Sequence, residues 1–359
     1  MLMPRPDPVY VRASVADKCN LNCVYCPKRE GMENRVPDAL RGRRLSLDEY
    51  CQNMGHIARN GITGISFTGG EPTLNPDLVA LIRHAASTFD RVELTSNGFH
   101  LLGLLPSIAP YLNLLKISLD STDETVNSSI TRGPSGEAAK AQAAIIESCR
   151  LGLRVGVNIV VMRSALAEIE KVLAFCRAVN QLRYTGKAYV SLLDFYYSSE
   201  QRVVWEREFL SVDDLASTFE TRYGPRIVQE RFGCSFYWFD AHGVELRIKS
   251  SLGATHRAGK CKNCKHYCQE GIYGLKHSVE GWITTCPNGE PSYGAYLKAG
   301  LTNAEADDAL YHLIQDIHNA TPDRDSFATL IGTHALNPTL CLDDRPLGHT
   351  TTGILKVIK

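Results

Sequence analysis

Between Val9 and about Val190 the apolar positions follow two periods in turn. The short runs VYVRASV, GISFT, RVELTSN, LLKISLD, RVGVNIVVM and YVSLLDF read as strands. Between them SLDEYCQNMGHIARN, PDLVALIRHAAST, EAAKAQAAIIESCRLG and AEIEKVLAFCRAV carry the three-to-four spacing of amphipathic helices. This alternation specifies parallel strands with helical crossovers, an α/β sheet or barrel. Six strands fall short of a closed eight-fold barrel, so the expectation is a partial (β/α)6 TIM-like barrel. Each strand ends in a polar or glycine-rich turn, KCNLNC, TGGEP, SNG, DST or MRS. Ligands bind at the carboxyl ends of parallel strands, so these turns are expected to face one site.

After about Ser211 the rhythm changes to apolar and aromatic runs. CSFYWFD-AHG-VELRI and IYGLKHS-VEG-WITTC read as hairpins with glycine in the turn. The expected division is a core over residues 9–229 and a small α+β domain with hairpins, plus tail, over 230–359. The tail carries one helical pattern, ADDALYHLIQDIHNA.

Of the 359 residues 44% are apolar, ample for a core. Lysine plus arginine equals aspartate plus glutamate at 39 each, so the overall charge points to no nucleic acid and favours a small-molecule substrate. No apolar run reaches 18 residues and the first residues form no signal core, so no membrane partner is expected and the reading is of a cytoplasmic protein. Twelve cysteines in a reducing compartment point to metal binding rather than disulfides.

Cys19, Cys23 and Cys26 form C-x3-C-x2-C directly after the first strand. Three thiolates on one short loop can hold three corners of an iron-sulfur cubane and leave the fourth iron open. A structural zinc loop with a remote fourth ligand is the plain alternative. Gly69, Gly70 and Glu71 follow the second strand, where two residues without side chains permit close backbone approach.

With Tyr25 beside the last cysteine and TGGEP after the second strand, this constellation resembles the radical S-adenosylmethionine superfamily. The resemblance implies that the open iron chelates the amino and carboxylate groups of S-adenosylmethionine. Reductive cleavage then gives methionine and a 5′-deoxyadenosyl radical that takes hydrogen from a substrate. It also implies that Gly70 and its neighbours hold the amino group, that Ser118 contacts the cofactor, and that Tyr25 lies along the adenosine. Ser96, Asn97, Asp120, Arg132 and Asn158 are further family-like positions. For Asp120 and Asn158 the alternative is satisfying loop backbone groups.

Cys261, Cys264, Cys268 and Cys286 form C-x2-C-x3-C-x17-C around the second hairpin, enough for a zinc site or a second 4Fe-4S cluster. The layout resembles the shortened auxiliary-cluster domain of the molybdenum-cofactor GTP 3′,8-cyclase group, which implies iron-sulfur. With all four bound the cluster is closed, and with Cys268 spare it keeps an open iron. Cys51, Cys149 and Cys176 fall in helical patterns and read as small buried residues.

Likeness to that group extends over roughly residues 9–290. Arg12, seven residues before Cys19, matches an arginine that binds GTP there. Basic residues of the group are replaced here by Gly64, Ser66 and Gly156, and the chain ends in KVIK. A triphosphate needs charge-assisted contacts, preferably from arginine, so these losses argue against GTP as substrate. Candidate substrate contacts are Arg12, Lys116, Arg132, Asp194, Tyr196, Arg247 and Lys276, of which Arg12, Arg132 and Asp194 are assigned to the chemistry. The expectation is a radical enzyme acting on a nucleoside, nucleotide or sugar derivative in cofactor or natural-product biosynthesis. Its electrons would come from a donor such as flavodoxin or ferredoxin, and the chain would be a monomer or homodimer. A peptide-modifying radical enzyme, a GTP 3′,8-cyclase and a non-catalytic iron-sulfur or zinc sensor are the alternatives.

Overall fold

A computed structural model describes residues 10–27, 36–210, 212–231, 234–250, 256–263, 271–286 and 293–322. The first six strands are β1 (Tyr10–Ser14), β2 (Gly64–Thr68), β3 (Arg91–Ser96), β4 (Leu114–Ser118), β5 (Val155–Val160) and β6 (Ala188–Leu193). Helices α1 (Leu47–Arg59), α2 (Leu78–Thr88), α3 (Leu105–Ile108), α4 (Glu124–Thr131), α5 (Glu137–Arg150) and α6 (Leu166–Gln181) lie between them. Then come α7 (Arg202–Glu208), α8 (Val212–Tyr223), β7 (Ile227–Arg231), β8 (Cys234–Asp240), β9 (Glu245–Ser250) and β10 (His256–Arg257). The rest comprises β11 (Gly274–His277), β12 (Trp282–Thr284), β13 (Gly294–Tyr296), α9 (Asn303–His318) and β14 (Thr321–Pro322).

Twelve strands share one sheet in the order β13-β12-β11-β1-β2-β3-β4-β5-β6-β9-β8-β7. The six expected strands are parallel neighbours, and the parallel run extends at both ends, with β11 beside β1 and β9 beside β6. The two expected hairpins form, β8 with β9 around Gly243 and β11 with β12 around Gly281, both glycines at positive φ. The strands on either side of residue 230 thus belong to one sheet. Lys249 of β9 lies 5.4 Å over the ring of Tyr273, which precedes β11, so the sheet curls until its two parallel edges approach. Among the described residues it is a barrel left open between those edges. No helix is long and apolar enough to cross a membrane among these residues.

Side-chain alternation sorts the two faces of the curled sheet. Val92 and Leu94 of β3 are buried under the helices, whereas Arg91, Glu93 and Thr95 point to the concave side. In β1, Val11 and Ala13 face the helices while Tyr10 and Arg12 face inward. The helix layer buries matching stripes. In α1, Ser46 and Glu49 form a capping box that starts the helix, and Tyr50, Met54 and Ile57 are buried beneath it.

His277 of β11 sits opposite Ala13, 5.1 Å from the Tyr50 ring, with Asn53 Nδ2 donating to its Nε2 at 3.1 Å. Burial lowers its pKa from the usual 6.5 to about 4. The unfolded chain therefore takes up the proton first. Stability is intact above about pH 6.5 and falls as pH drops toward 4, by about 2 kcal/mol at pH 5. His277→Gln is expected to flatten the loss of melting temperature between pH 7.5 and pH 5. An unchanged slope in the variant would contradict this.

Candidate active site at the carboxyl ends of the strands

The cysteine loop leaves β1 and is clamped on two sides. Asn22 and Val24 amides donate to the Thr131 and Ile130 carbonyls at the end of α4, both at 2.9 Å, and the Cys26 amide reaches the Cys23 carbonyl at 3.2 Å. Cys19 Sγ accepts from the Leu21 amide at 3.4 Å and faces Asn97 Nδ2 at 3.9 Å. Cys19 and Cys26 are exposed and Cys23 is partly buried. Burial, followed by the Asp120 charge, pushes the Cys23 thiol up, so a thiolate there calls for a compensating cation. Three cysteines on one pinned loop, with N–H donors aimed at one of them, are the donor type that an iron-sulfur cluster takes, while among the described residues no three His, Cys, Asp or Glu side chains are already gathered around a metal position.

Two glycines set the loop's other boundary. The Gly70 amide donates to the Ala16 carbonyl at 2.6 Å and the Glu71 amide to the Lys18 carbonyl at 2.8 Å. A Cβ on Gly69 would lie 2.3 Å from the Ala16 oxygen, and one on Gly70 would lie 2.2 Å from the Lys18 oxygen. The space that a side chain would fill at both positions is taken by the cysteine loop itself. Gly69 also has φ +135°, which side chains rarely adopt.

Glu71 is buried, and its carboxylate accepts from the Thr73 amide and hydroxyl, the Ser96 hydroxyl and the Asn97 amide, at 2.7 to 3.1 Å. It ties the β2 turn to the β3 turn. Ser96 in turn accepts from the Gly98 amide at 3.0 Å. The structure thus places Glu71 and Ser96 behind the site, where they fix Asn97, while Asn97 Nδ2 reaches forward to Asn20 at 2.8 Å and toward Cys19.

Asp120 is buried beyond β4. It accepts from the Tyr25 hydroxyl at 2.7 Å and from the Val160 amide at 2.9 Å. Burial raises its pKa to about 6, against the opposing pull of those two donors. Asp120 thereby fixes the Tyr25 ring, whose edge also meets Phe195 with centroids 6.3 Å apart.

The concave face of the sheet encloses a cavity of about 840 Å³. At one end it is lined by Tyr25, Cys26, Thr68, Thr95, Ser118, Asn158, Asp194 and Tyr196, so of the turns expected to face one site Thr68 lies in the lining, with Cys26 beside the first turn and strand-end residues next to the others. Ser118 and Asn158 are register partners on β4 and β5. Asn158 is 8% exposed and its Oδ1 has no hydrogen-bond partner among the described residues. An orphaned acceptor in this wall suits a ligand that brings a donor. Asp194 also lines the wall, with one carboxylate oxygen held by the Val212 amide at the start of α8. At the other end the exposed residues Asp90, Asn113, Arg154 and Gln229 line the cavity, so it runs the length of the strands, about 17–20 Å.

Arg12, Lys116 and Arg247 meet midway. Lys116 Nζ pairs with Glu93 at 2.6 Å, and Arg91 pairs with the same carboxylate at 2.5 Å. Burial works against the Glu93 charge, but the two cations prevail and hold its carboxyl at about 2. For Lys116 burial wins and its pKa falls, with Arg247 and Arg12 adding to the push.

Two expected contacts lie elsewhere. Arg132 is exposed in a left-handed conformation at the end of α4, one residue beyond the Thr131 carbonyl that holds the cysteine loop. It stands beside the loop and outside the cavity lining. Lys276 is buried, and its ammonium donates to the Thr285 carbonyl at 3.2 Å. Glu93 carries the wall's polarity without forming any motif, and only the alternation of polar residues along β3 signals it.

Of the second cysteine group, Cys264 and Cys268 lie outside the described residues. Lys260 Nζ donates to the Thr285 hydroxyl at 2.7 Å, which brings the neighbouring Cys261 and Cys286 onto adjoining segments.

Residues 14–176 match the family model of the radical SAM superfamily. The GTP 3′,8-cyclase of Lactiplantibacillus plantarum is 27% identical over 288 residues, covering 77% of this chain and 78% of that one. The GTP 3′,8-cyclase of Thermodesulfovibrio yellowstonii is 32% identical over 225 residues, covering 61% of this chain and 65% of that one. Streptococcus suis SuiB bound to S-adenosylmethionine shares the architecture at TM-score 0.55 and 14% identity, covering 90% of this chain and 68% of that structure. With the cysteine loop beside a strand-end cavity, these matches show that residues 14–176 carry a domain of the radical S-adenosylmethionine superfamily.

Proposed function

We propose that Cys19, Cys23 and Cys26 hold a 4Fe-4S cluster, that Tyr25, Gly70, Ser118 and Asn158 hold S-adenosylmethionine beside it, and that the cavity below receives a small polar metabolite. The observation that carries this reading is that Cys26, Ser118, Asn158 and Arg12 line one continuous cavity. Bound there, the cluster and S-adenosylmethionine supply reductive cleavage to a 5′-deoxyadenosyl radical.

The chain's own residues do the positioning. Asp120 accepts the Tyr25 hydroxyl proton in a hydrogen bond and fixes the ring. Glu71 holds the Asn97 turn, and the bare backbone of Gly69 and Gly70 lets that side of the site press on the cysteine loop.

A nucleoside, nucleotide or sugar derivative suits the cavity, whose volume is that of a small-molecule site. GTP suits it less. Gly64 and Ser66 line the wall where basic residues would serve a triphosphate, and a Cβ on Gly156 would already lie 2.7 Å from the Tyr189 hydroxyl. Support for a second 4Fe-4S cluster on Cys261, Cys264, Cys268 and Cys286 comes from the adjoining segments of Cys261 and Cys286. A flavodoxin- or ferredoxin-type donor would provide electrons.

The test is anaerobic incubation of the reduced holoenzyme and S-adenosylmethionine with panels of nucleosides, nucleotides, sugar acids and short peptides, with 5′-deoxyadenosine quantified. A rise with a nucleotide or sugar derivative is expected. A rise confined to peptides would overturn the small-metabolite reading.

A further inference from the structure

Arg247 occupies an unusual position in the cavity wall. It stands on β9 in register with Ser191, which pairs with Asn158, which pairs with Ser118. The guanidinium therefore belongs to the same row as the residues proposed to hold S-adenosylmethionine. Its Nε and Nη2 both donate to the Ser191 hydroxyl, at 3.2 and 2.7 Å, and Ser191 is fully buried. The rings of Phe236, Tyr189 and Trp238 surround it at 5.1, 5.4 and 5.8 Å.

No carboxylate among the described residues pairs with this cation. That sets it apart from its neighbours. Arg91 and Lys116 share Glu93, and Arg154 pairs with Glu245 at 2.7 Å. A planar guanidinium clamped by a serine and three rings has lost its rotamer freedom before any ligand arrives, and its remaining N–H edge is free to meet two oxygens at once. Holding a positive charge in a partly dry wall beside Lys116 and Arg12 costs free energy that an anion recovers. Six basic and three acidic side chains line the cavity, and the carboxylate in its middle, Glu93, already has two cations.

We propose that Arg247 is the anchor for a single oxyanion group, a carboxylate or phosphate, on the substrate. Arg247 stands with Arg12 and Lys116 in the middle of the cavity, so the substrate is an acid held there by its charged end with its reacting carbon toward S-adenosylmethionine. This deepens the proposed function and rests on the cavity being the substrate chamber.

The test titrates the reconstituted holoenzyme, saturated with S-adenosylmethionine, with inorganic phosphate and with propionate by calorimetry at low salt. Saturable binding of one of them is expected, and which one binds identifies the anion. Arg247→Gln is expected to weaken it about 10- to 100-fold. Arg91→Gln, whose partner also contacts Lys116, is expected to change it by less than about threefold. Melting temperatures of both variants check folding, and Arg247→Lys, which keeps the charge and loses the fork, is expected to fall between wild type and Arg247→Gln. No saturable binding of either anion, or equal binding by Arg247→Gln, would overturn the proposal. These titrations need no turnover, so failure to cleave S-adenosylmethionine would sink the proposed reaction while leaving the anchor measurable.

Discussion

Cys23→Ala is expected to abolish release of 5′-deoxyadenosine and most of the cluster's iron. Cys23 is the middle of the three proposed ligands, and alanine removes its sulfur while keeping the carbonyl that accepts the Cys26 amide, so the variant tests the sulfur set with the turn retained. Removing a residue that merely orients a metal ligand costs about 10- to 100-fold in affinity or activity, and removing a ligand costs more. Release should therefore fall by more than about 100-fold. Cys51→Ala is the comparison. Cys51 is a partly buried residue of α1, packed against the core and away from the loop, so iron content and release should stay near wild type. Anaerobic iron and sulfide analysis with product quantification reads both variants. A Cys23→Ala protein that keeps its cluster and its release would remove the loop from the chemistry.

The second large effect is expected from one methyl group. In Gly70→Ala the added carbon would meet the Lys18 carbonyl, 2.2 Å from its oxygen and 2.5 Å from its carbon, and both are backbone atoms. A side chain could rotate away, but backbone cannot move without carrying Cys19 with it. The Gly70 and Glu71 amides that now bind the Ala16 and Lys18 carbonyls would be displaced as well. Overpacking of this kind costs about 1–3 kcal/mol, and two strained hydrogen bonds add about 1 kcal/mol each. Expected are a melting temperature lower by several degrees and iron content reduced by at least about half. Gly103→Ala is the control, since nothing lies within 4 Å of a Cβ there. If Gly70→Ala keeps full iron and full activity, the close packing of this turn on the loop does not matter to the cluster.

Much of this was legible in the sequence because it is local. The helix and strand periods, the glycine turns at Gly243 and Gly281, and the cysteine spacing each depend on residues a few positions apart. The parallel partners of β9 and β11 were not legible. Their sequences show the hairpins they form with β8 and β12, whereas pairing with β6 and β1 depends on how the whole sheet curls.

Roles within the site divide the same way. Resemblance placed Glu71 and Ser96 among the cofactor-binding positions, and in the fold the Glu71 carboxylate accepts from four donors, one of them the Ser96 hydroxyl, a network that depends on the β2 and β3 turns meeting. Gly69 and Gly70 suggested close approach, and close approach is what the structure uses them for, to the cysteine loop. The polar lining was visible in outline, since Arg91, Glu93 and Thr95 alternate with Val92 and Leu94. Which side of β3 faces a cavity follows only once the helices cover the other.

The central claim is that S-adenosylmethionine binds directly to a cluster held by Cys19, Cys23 and Cys26. The measurement is electron-nuclear double resonance on the reduced holoenzyme frozen with S-adenosylmethionine labelled with ¹⁷O in its carboxylate and ¹⁵N in its amino group. Cys261→Ala and Cys286→Ala backgrounds keep any second cluster out of the signal. Hyperfine coupling from both labels is the expected result. A reduced cluster that shows neither coupling would contradict the account.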